Sequence, residues 1–159
     1  MKILLIGSGG REHALAKAII KSPKCSQLFI APGNAGTAEC GTNVAIKVDD
    51  LEGIVAFAKS NQIDLVIPGP ELPLVLGIGD ALDEAGIPCC GPTKGPAQLE
   101  GSKAFTREII LPYDVPAPRF EKVTTSEQLR AAIESWDGVP VVKADGLASG
   151  KGVFLPETK

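Results

Sequence analysis

At 159 residues and 44% hydrophobic content, the chain is long enough to bury a core, either as one large domain or as a small domain with part of another. Its 16 Lys and Arg against 19 Asp and Glu leave a net charge of -3, which excludes the basic surface of a nucleic-acid binder, so any phosphate it binds belongs to a small ligand. No apolar run reaches the roughly 18 residues of a membrane span, and the start MKILLIGSGG has neither the length nor the cleavage site of a signal peptide, so a cytoplasmic protein without membrane partners is expected.

Short β-type runs at 2–6, 27–31, 44–48, 64–67 and 88–90 alternate with helical stretches over the first hundred residues. Leu15, Ala18 and Ile19 share one face of a helix over 11–21, and Leu51, Ile54, Val55 and Ala58 follow helical spacing behind an acidic cap at Asp49-Asp50 with Glu52. A third helix over 72–85 presents Val75, Ile78 and Leu82, with Gly77 and Gly79 lowering its propensity. Strands alternating with helices imply a Rossmann-like α/β domain with a parallel sheet over residues 1–100. Cys25, Cys40, Cys89 and Cys90 have no metal-ligand spacing and read as free thiols.

After Gly101 the rhythm changes. A helix over 102–109 cannot run past Pro112, and 111–118 is a proline-rich connector. A strand at 119–123 then leads to a helix with Leu129, Ala132, Ile133 and Trp136 on one face, capped by Thr124-Thr125-Ser126-Glu127. A strand at 139–144, a glycine loop and a strand at 153–155 complete a segment with too few elements to close a core alone.

LLIGSGGREHA, residues 4–14, is a strand, a glycine turn and a helix start, which aims backbone N–H groups and the helix dipole at an anion. Gly9, Gly10 and Arg11 are the candidates there. The full G-x-G-x-x-G pattern is not met, and the second strand ends in Phe29-Ile30-Ala31-Pro32 without the acidic residue a dinucleotide needs, which disfavours a nicotinamide oxidoreductase. APGNAGT at 31–37 and IPGPELP at 67–73 follow strands two and four. With strand order 3-2-1-4-5, Gly69, Pro70 and Glu71 face the first turn across one crevice with Asn34 beside it; ordinary turn chemistry is the alternative for each loop. His13, the single histidine, reads as a helix-terminus or packing residue rather than a catalytic base.

VVKADGLASGKG, residues 141–152, resembles a P-loop but has three residues between its glycines instead of four, and Gly152 where Ser or Thr would hold magnesium. A strand follows it, so the loop is a glycine hairpin able to fold over a triphosphate, with its N–H groups and Lys151 as donors. Lys143 shares a strand face with Val141 and is expected to point inward, an exposed lysine on a strand edge being the alternative.

Taken together, IGSGGREHALA, APGNAGT, PGPELPLVLGIGDAL, GPTKGPAQLEGSKAFT and VVKADGLASGKGV resemble the phosphoribosylamine–glycine ligases, ATP-grasp enzymes of purine biosynthesis. The resemblance implies a Rossmann-like domain over 1–100 and, over 101–159, a linker with the incomplete start of an ATP-grasp α+β module. It implies ATP-dependent ligation of glycine to 5-phosphoribosylamine through glycyl phosphate, with ATP and Mg2+ required and the magnesium ligands expected beyond residue 159. Lys103 and Lys143 would contact nucleotide phosphate, with Asp145, Gly146, Leu147, Ala148, Ser149, Gly150, Lys151 and Gly152 as the loop over it. Gly9, Gly10, Arg11, Asn34, Gly69, Pro70 and Glu71 would form the ribosyl phosphate crevice. No catalytic residue is assigned within this chain, which reads as an N-terminal portion inactive alone; a non-catalytic module for a phosphorylated ligand is the alternative. Pro112 departs from the family pattern and bears on the geometry after Lys103. Nothing in the sequence speaks to oligomeric state.

Overall fold

The computed structural model describes residues 1–148 and 150–158. The chain divides into two units, Met1–Gln98 and Leu99–Lys159, each considered by itself.

In the first unit the central strand β1 (Lys2–Gly7) pairs in parallel with β2 (Gln27–Pro32) on one side and β4 (Leu65–Pro68) on the other. A two-residue β3 (Thr42–Asn43) extends β2, giving the order β3-β2-β1-β4, and a parallel bridge from Val66 to Cys89 adds a fifth segment beyond β4. Side chains alternate across a strand, so the KILLI run feeds both faces. Leu4 and Ile6 pack with Ile54 and Ala58 of α2 (Leu51–Ser60) and Ile78 and Leu82 of α4 (Ile78–Glu84). Ile3 and Leu5 pack on the opposite face with Ala16 of α1 (Gly10–Ile19), Leu28 and Ile30. Each fully buried Leu or Ile contributes about 1.5–3 kcal/mol relative to exposure.

Three expectations for this unit are corrected. Residues 44–48 form no strand: Val44 N–H still bonds Ile30 C=O (2.8 Å), but Ile46 N–H turns back to Val44 C=O (2.7 Å) where β2 ends at Pro32, which has no N–H to extend a ladder. Val44, Ile46 and Val48 pack on the core as irregular chain. The inward face of α1 carries Glu12 and Ala16 with Ile19, and leaves Leu15 and Ala18 exposed, because the Glu12 carboxylate is drawn under the glycine turn. The helix over 72–85 is two helices, α3 (Glu71–Leu76) and α4, parted at Gly77, whose φ of +110° suits glycine alone.

α5 (Lys94–Gly101) has no counterpart in the sequence reading. Its Pro96 lies in the first turn, where a missing N–H costs nothing, and its N-terminal Lys94 N–H is capped by Asp80 of α4 (2.7 Å).

In the second unit α6 (Lys103–Ile110) is capped by Ser102 and passes into a 3-10 turn at 111–113, with Asp114 at φ +50° closing it. α7 (Ser126–Ser135) starts at Thr125, whose hydroxyl accepts Gln128 N–H, while Gln128 Oε1 accepts Thr124 N–H (2.8 Å). Residues 119–123, expected as a strand, run instead beside Trp136: Arg119 stacks 4.5 Å from its ring and Glu121 accepts its indole N–H (3.1 Å). The strand expected over 139–144 is shortened to β5 (Val142–Lys143), since its antiparallel partner β6 (Val153–Phe154) offers two residues. The apolar residues of this hairpin and α7, among them Leu129, Ile133, Val142 and Phe154, line an open groove.

Among the described residues, no helix is long and apolar enough to cross a membrane.

Candidate functional site

β1 and β4 are neighbours, so the turns leaving their carboxyl ends stand side by side, as a topological switch point requires. Gly7 ends β1 at φ +127°, and Gly9 caps α1. Arg11, in the first turn of α1, reaches across to Glu71, the first residue of α3, with Nη1 to Oε1 at 3.0 Å. The guanidinium holds the Glu71 carboxyl below the usual carboxylate range, helped by the backbone at the helix start, and the pairing raises Arg11 in turn. Side-chain exposures of 58% for Arg11 and 42% for Glu71 leave both open to a ligand.

Beneath this pair lies a residue that the sequence reading missed. Glu12 is 4% exposed; its Oε2 accepts Gly9 N–H at 2.7 Å, and its Oε1, with no hydrogen-bond partner, stands 3.3 Å from Arg11 Nε. A side chain at Gly7, Gly9 or Gly69 would strike it, so three glycine backbones close around one carboxylate. The signal for it was its place three residues after the cap, the position of a capping-box glutamate.

Asn34 is a strut: its Nδ2 donates to Ser8 C=O (2.8 Å) and its Oδ1 accepts Thr37 N–H (2.9 Å). Thr37, fully buried, and Asn43 complete this brace, with Asn43 Nδ2 donating to Asn34 C=O (2.8 Å). Gly69 N–H bonds Ile6 C=O (2.9 Å), and Pro70 precedes α3. The His13 ring packs against Gly36. Above Gly10 the space is open, with nothing within 4 Å of where a Cβ would stand. Since Glu12 occupies Gly9 N–H, the donors left at the start of α1 are the N–H groups of Gly10, Arg11 and Glu12, which helix geometry leaves without intrahelical partners. The helix start therefore offers an anion three N–H groups and a guanidinium, and Glu71 offers a carboxylate to hydroxyl or amine donors.

In the second unit, Lys103 begins α6 and Lys143 ends β5. Lys103 Nζ donates to Gly146 C=O (3.1 Å). Asp145 Oδ1 accepts Lys103 N–H (2.7 Å) and Ala104 N–H (3.2 Å), and its Oδ2 accepts the Ser102 hydroxyl (2.9 Å). Burial works against this carboxylate's charge, but those hydrogen bonds prevail and hold it low. Ser102 was not foreseen as part of the site. Lys143 is exposed beside an exposed Val141, correcting the inward expectation, because it is Val142 that faces the groove. Ala144 N–H bonds Gly152 C=O (2.7 Å) and Lys151 N–H bonds Ala148 C=O (2.8 Å), so Gly152 closes the hairpin, where a side chain would meet Ala148 and Ala144. Leu147, Gly150 and Lys151 are exposed, and Ser149 lies outside the described residues.

Residues 1–100 match the family described as phosphoribosylglycinamide synthetase, N domain. The chain belongs to the phosphoribosylglycinamide synthetase family. Residues 101–159 match that family's ATP-grasp (A) domain. Among its relatives, the phosphoribosylamine–glycine ligase of Allochromatium vinosum is 52% identical over 99% of this chain and 37% of its own length. That of Agrobacterium fabrum is 48% identical over 100% and 38%. The chain thus spans a little over a third of the length of these relatives. The crystal structure of phosphoribosylamine–glycine ligase from Thermotoga maritima is similar with a TM-score of 0.74 at 33% identity, covering 97% of this chain and 35% of that one. N5-carboxyaminoimidazole ribonucleotide synthetase from Thermotoga maritima is similar in fold alone, with a TM-score of 0.72 at 20% identity over 99% of this chain and 41% of its own.

Proposed function

We propose that this sequence serves in an ATP-dependent carbon–nitrogen ligase that joins glycine to 5-phosphoribosylamine through glycyl phosphate, releasing ADP, phosphate and glycinamide ribonucleotide. The observation that carries the reading is the crevice between β1 and β4, where Arg11 and Glu71 oppose each other beside the open space over Gly10. A ribosyl phosphate suits it in both parts. Its phosphate meets the N–H groups of Gly10 and Arg11 and the guanidinium, and its hydroxyl or amine donors meet Glu71. Gly69 and Pro70 supply the far wall and Asn34 holds the near one in place.

Activation of glycine as an acyl phosphate answers the poor electrophilicity of a free carboxylate, and positive charge must screen two anions brought together. Lys103, Lys143, Lys151 and the loop N–H groups are suited to that part, on the nucleotide. Magnesium is a family-level expectation: among the described residues no three His, Cys, Asp or Glu side chains converge to hold a metal, and Asp145 is committed to α6.

The reading is tested by Arg11→Ala in a full-length ligase carrying this sequence. Loss of a charge-assisted contact raises KM for phosphoribosylamine about tenfold or more while KM for ATP stays within about twofold. Equal changes in both constants would contradict the assignment.

A further inference from the structure

We propose that Asp145 is a positioning residue that sets Lys103 and Lys143 in register with each other; this rests on the reading that both lysines serve nucleotide phosphate. The two lysines sit on different elements, one opening α6 and the other closing β5. Asp145 stands two residues beyond Lys143, directly after the last rung of the hairpin at Ala144 and Gly152. From there its carboxylate takes the N–H of Lys103 itself at 2.7 Å, the N–H of Ala104 at 3.2 Å and the Ser102 hydroxyl at 2.9 Å. Ser102 Oγ in turn accepts Phe105 N–H (3.1 Å), so the first turn of α6 is satisfied by one connected set of bonds.

The N–H groups at a helix start lack intrahelical partners, and the dipole there favours an anion. Asp145 is that anion, supplied from some forty positions along the chain. A second link runs the other way, from Lys103 Nζ to Gly146 C=O at 3.1 Å. Any slide or rotation of α6 relative to the end of β5 must break charge-assisted bonds at both links. The distance between the two lysine backbones is therefore set by Asp145, whose own oxygens are turned onto α6.

Asp145→Asn in a full-length ligase carrying this sequence keeps the volume and removes the charge. KM for ATP rises about tenfold, the loss of roughly one charged hydrogen bond, while KM for glycine and for phosphoribosylamine changes by less than about twofold. Amide hydrogen exchange at Lys103 and Ala104 quickens in the same variant. A residue that merely stabilises the fold would lower the active fraction, and so kcat, with KM for ATP unmoved; that result would overturn the proposal. Should Asp145→Asn not fold, Ser102→Ala removes the hydroxyl contact alone, and a smaller rise in the same KM is expected, with no rise counting against. Lys143→Ala, run alongside, separates the two readings. If it raises KM for ATP and Asp145→Asn does not, the role of Asp145 fails alone. If it does not, the nucleotide reading fails and this proposal with it.

Discussion

Gly7 and Gly10 stand three positions apart in one turn, and their surroundings are opposite. A side chain at Gly7 would enter the Glu12 carboxylate, whereas one at Gly10 meets open space in a helical position that any residue can take. Gly10→Ala should therefore leave the fold intact and raise its stability by up to about 1 kcal/mol, since alanine is the better helix former. The added methyl group stands where the ligand approaches the N–H groups, so affinity for ribose 5-phosphate should fall about tenfold or more, equivalent to at least about 1.4 kcal/mol. Thermal melting and calorimetric titration measure the two effects separately, and unchanged affinity would remove the space over Gly10 from the site. At this scale the sequence was legible where geometry is local: Gly9 caps α1, and Gly10 and Arg11 open it as the glycine turn predicts. Glu12 was not, because a glutamate in a first helical turn reads as a surface charge until the strand neighbours that bury it are known. Ser102 likewise acquires its second partner from a loop some forty residues away.

The elements that were readable are those whose neighbours are dictated by their own pattern. The short apolar run ending in a glycine turn points to a buried strand at β1, and the spacing of Leu51, Ile54, Val55 and Ala58 points to one helix face. Elements defined by a distant partner escaped: α5 depends on Asp80 for its first N–H, the strand expected over 44–48 lacked a ladder beyond Pro32, and 119–123 follows Trp136. The break at Gly77 lies between these cases, since a glycine weakens a continuous helix without showing where the chain turns. Gly77→Ala isolates the backbone contribution there. A Cβ would meet the Lys94 side chain at 3.4 Å and Asp80 Oδ2 at 3.8 Å, both ordinary contacts, but φ of +110° is unfavourable for alanine. Urea denaturation should show a loss of about 1–2 kcal/mol, and an unchanged midpoint would mean that α3 and α4 can join without that conformation.

Across the whole molecule, burial is uneven between the two units. The fully buried aliphatic residues, from Leu4 to Leu82, lie within residues 1–98, while between 99 and 158 the buried apolar side chains among the described residues are Ala104 and Ala132. Leu111, Tyr113, Phe154 and Leu155 in the second unit are exposed. The crevice proposed for a ribosyl phosphate therefore rests on the better packed unit, with its turns braced by Glu12, Asn34 and Thr37. That brace makes binding at the crevice testable apart from the proposed ligase reaction. The most direct measurement is a titration of the 15N-labelled chain with ribose 5-phosphate, followed by amide chemical shifts. The account predicts saturable shifts at Gly9, Gly10, Arg11, Asn34 and Glu71; an absence of saturable shifts at these residues, or shifts confined to residues 99–158, would contradict it.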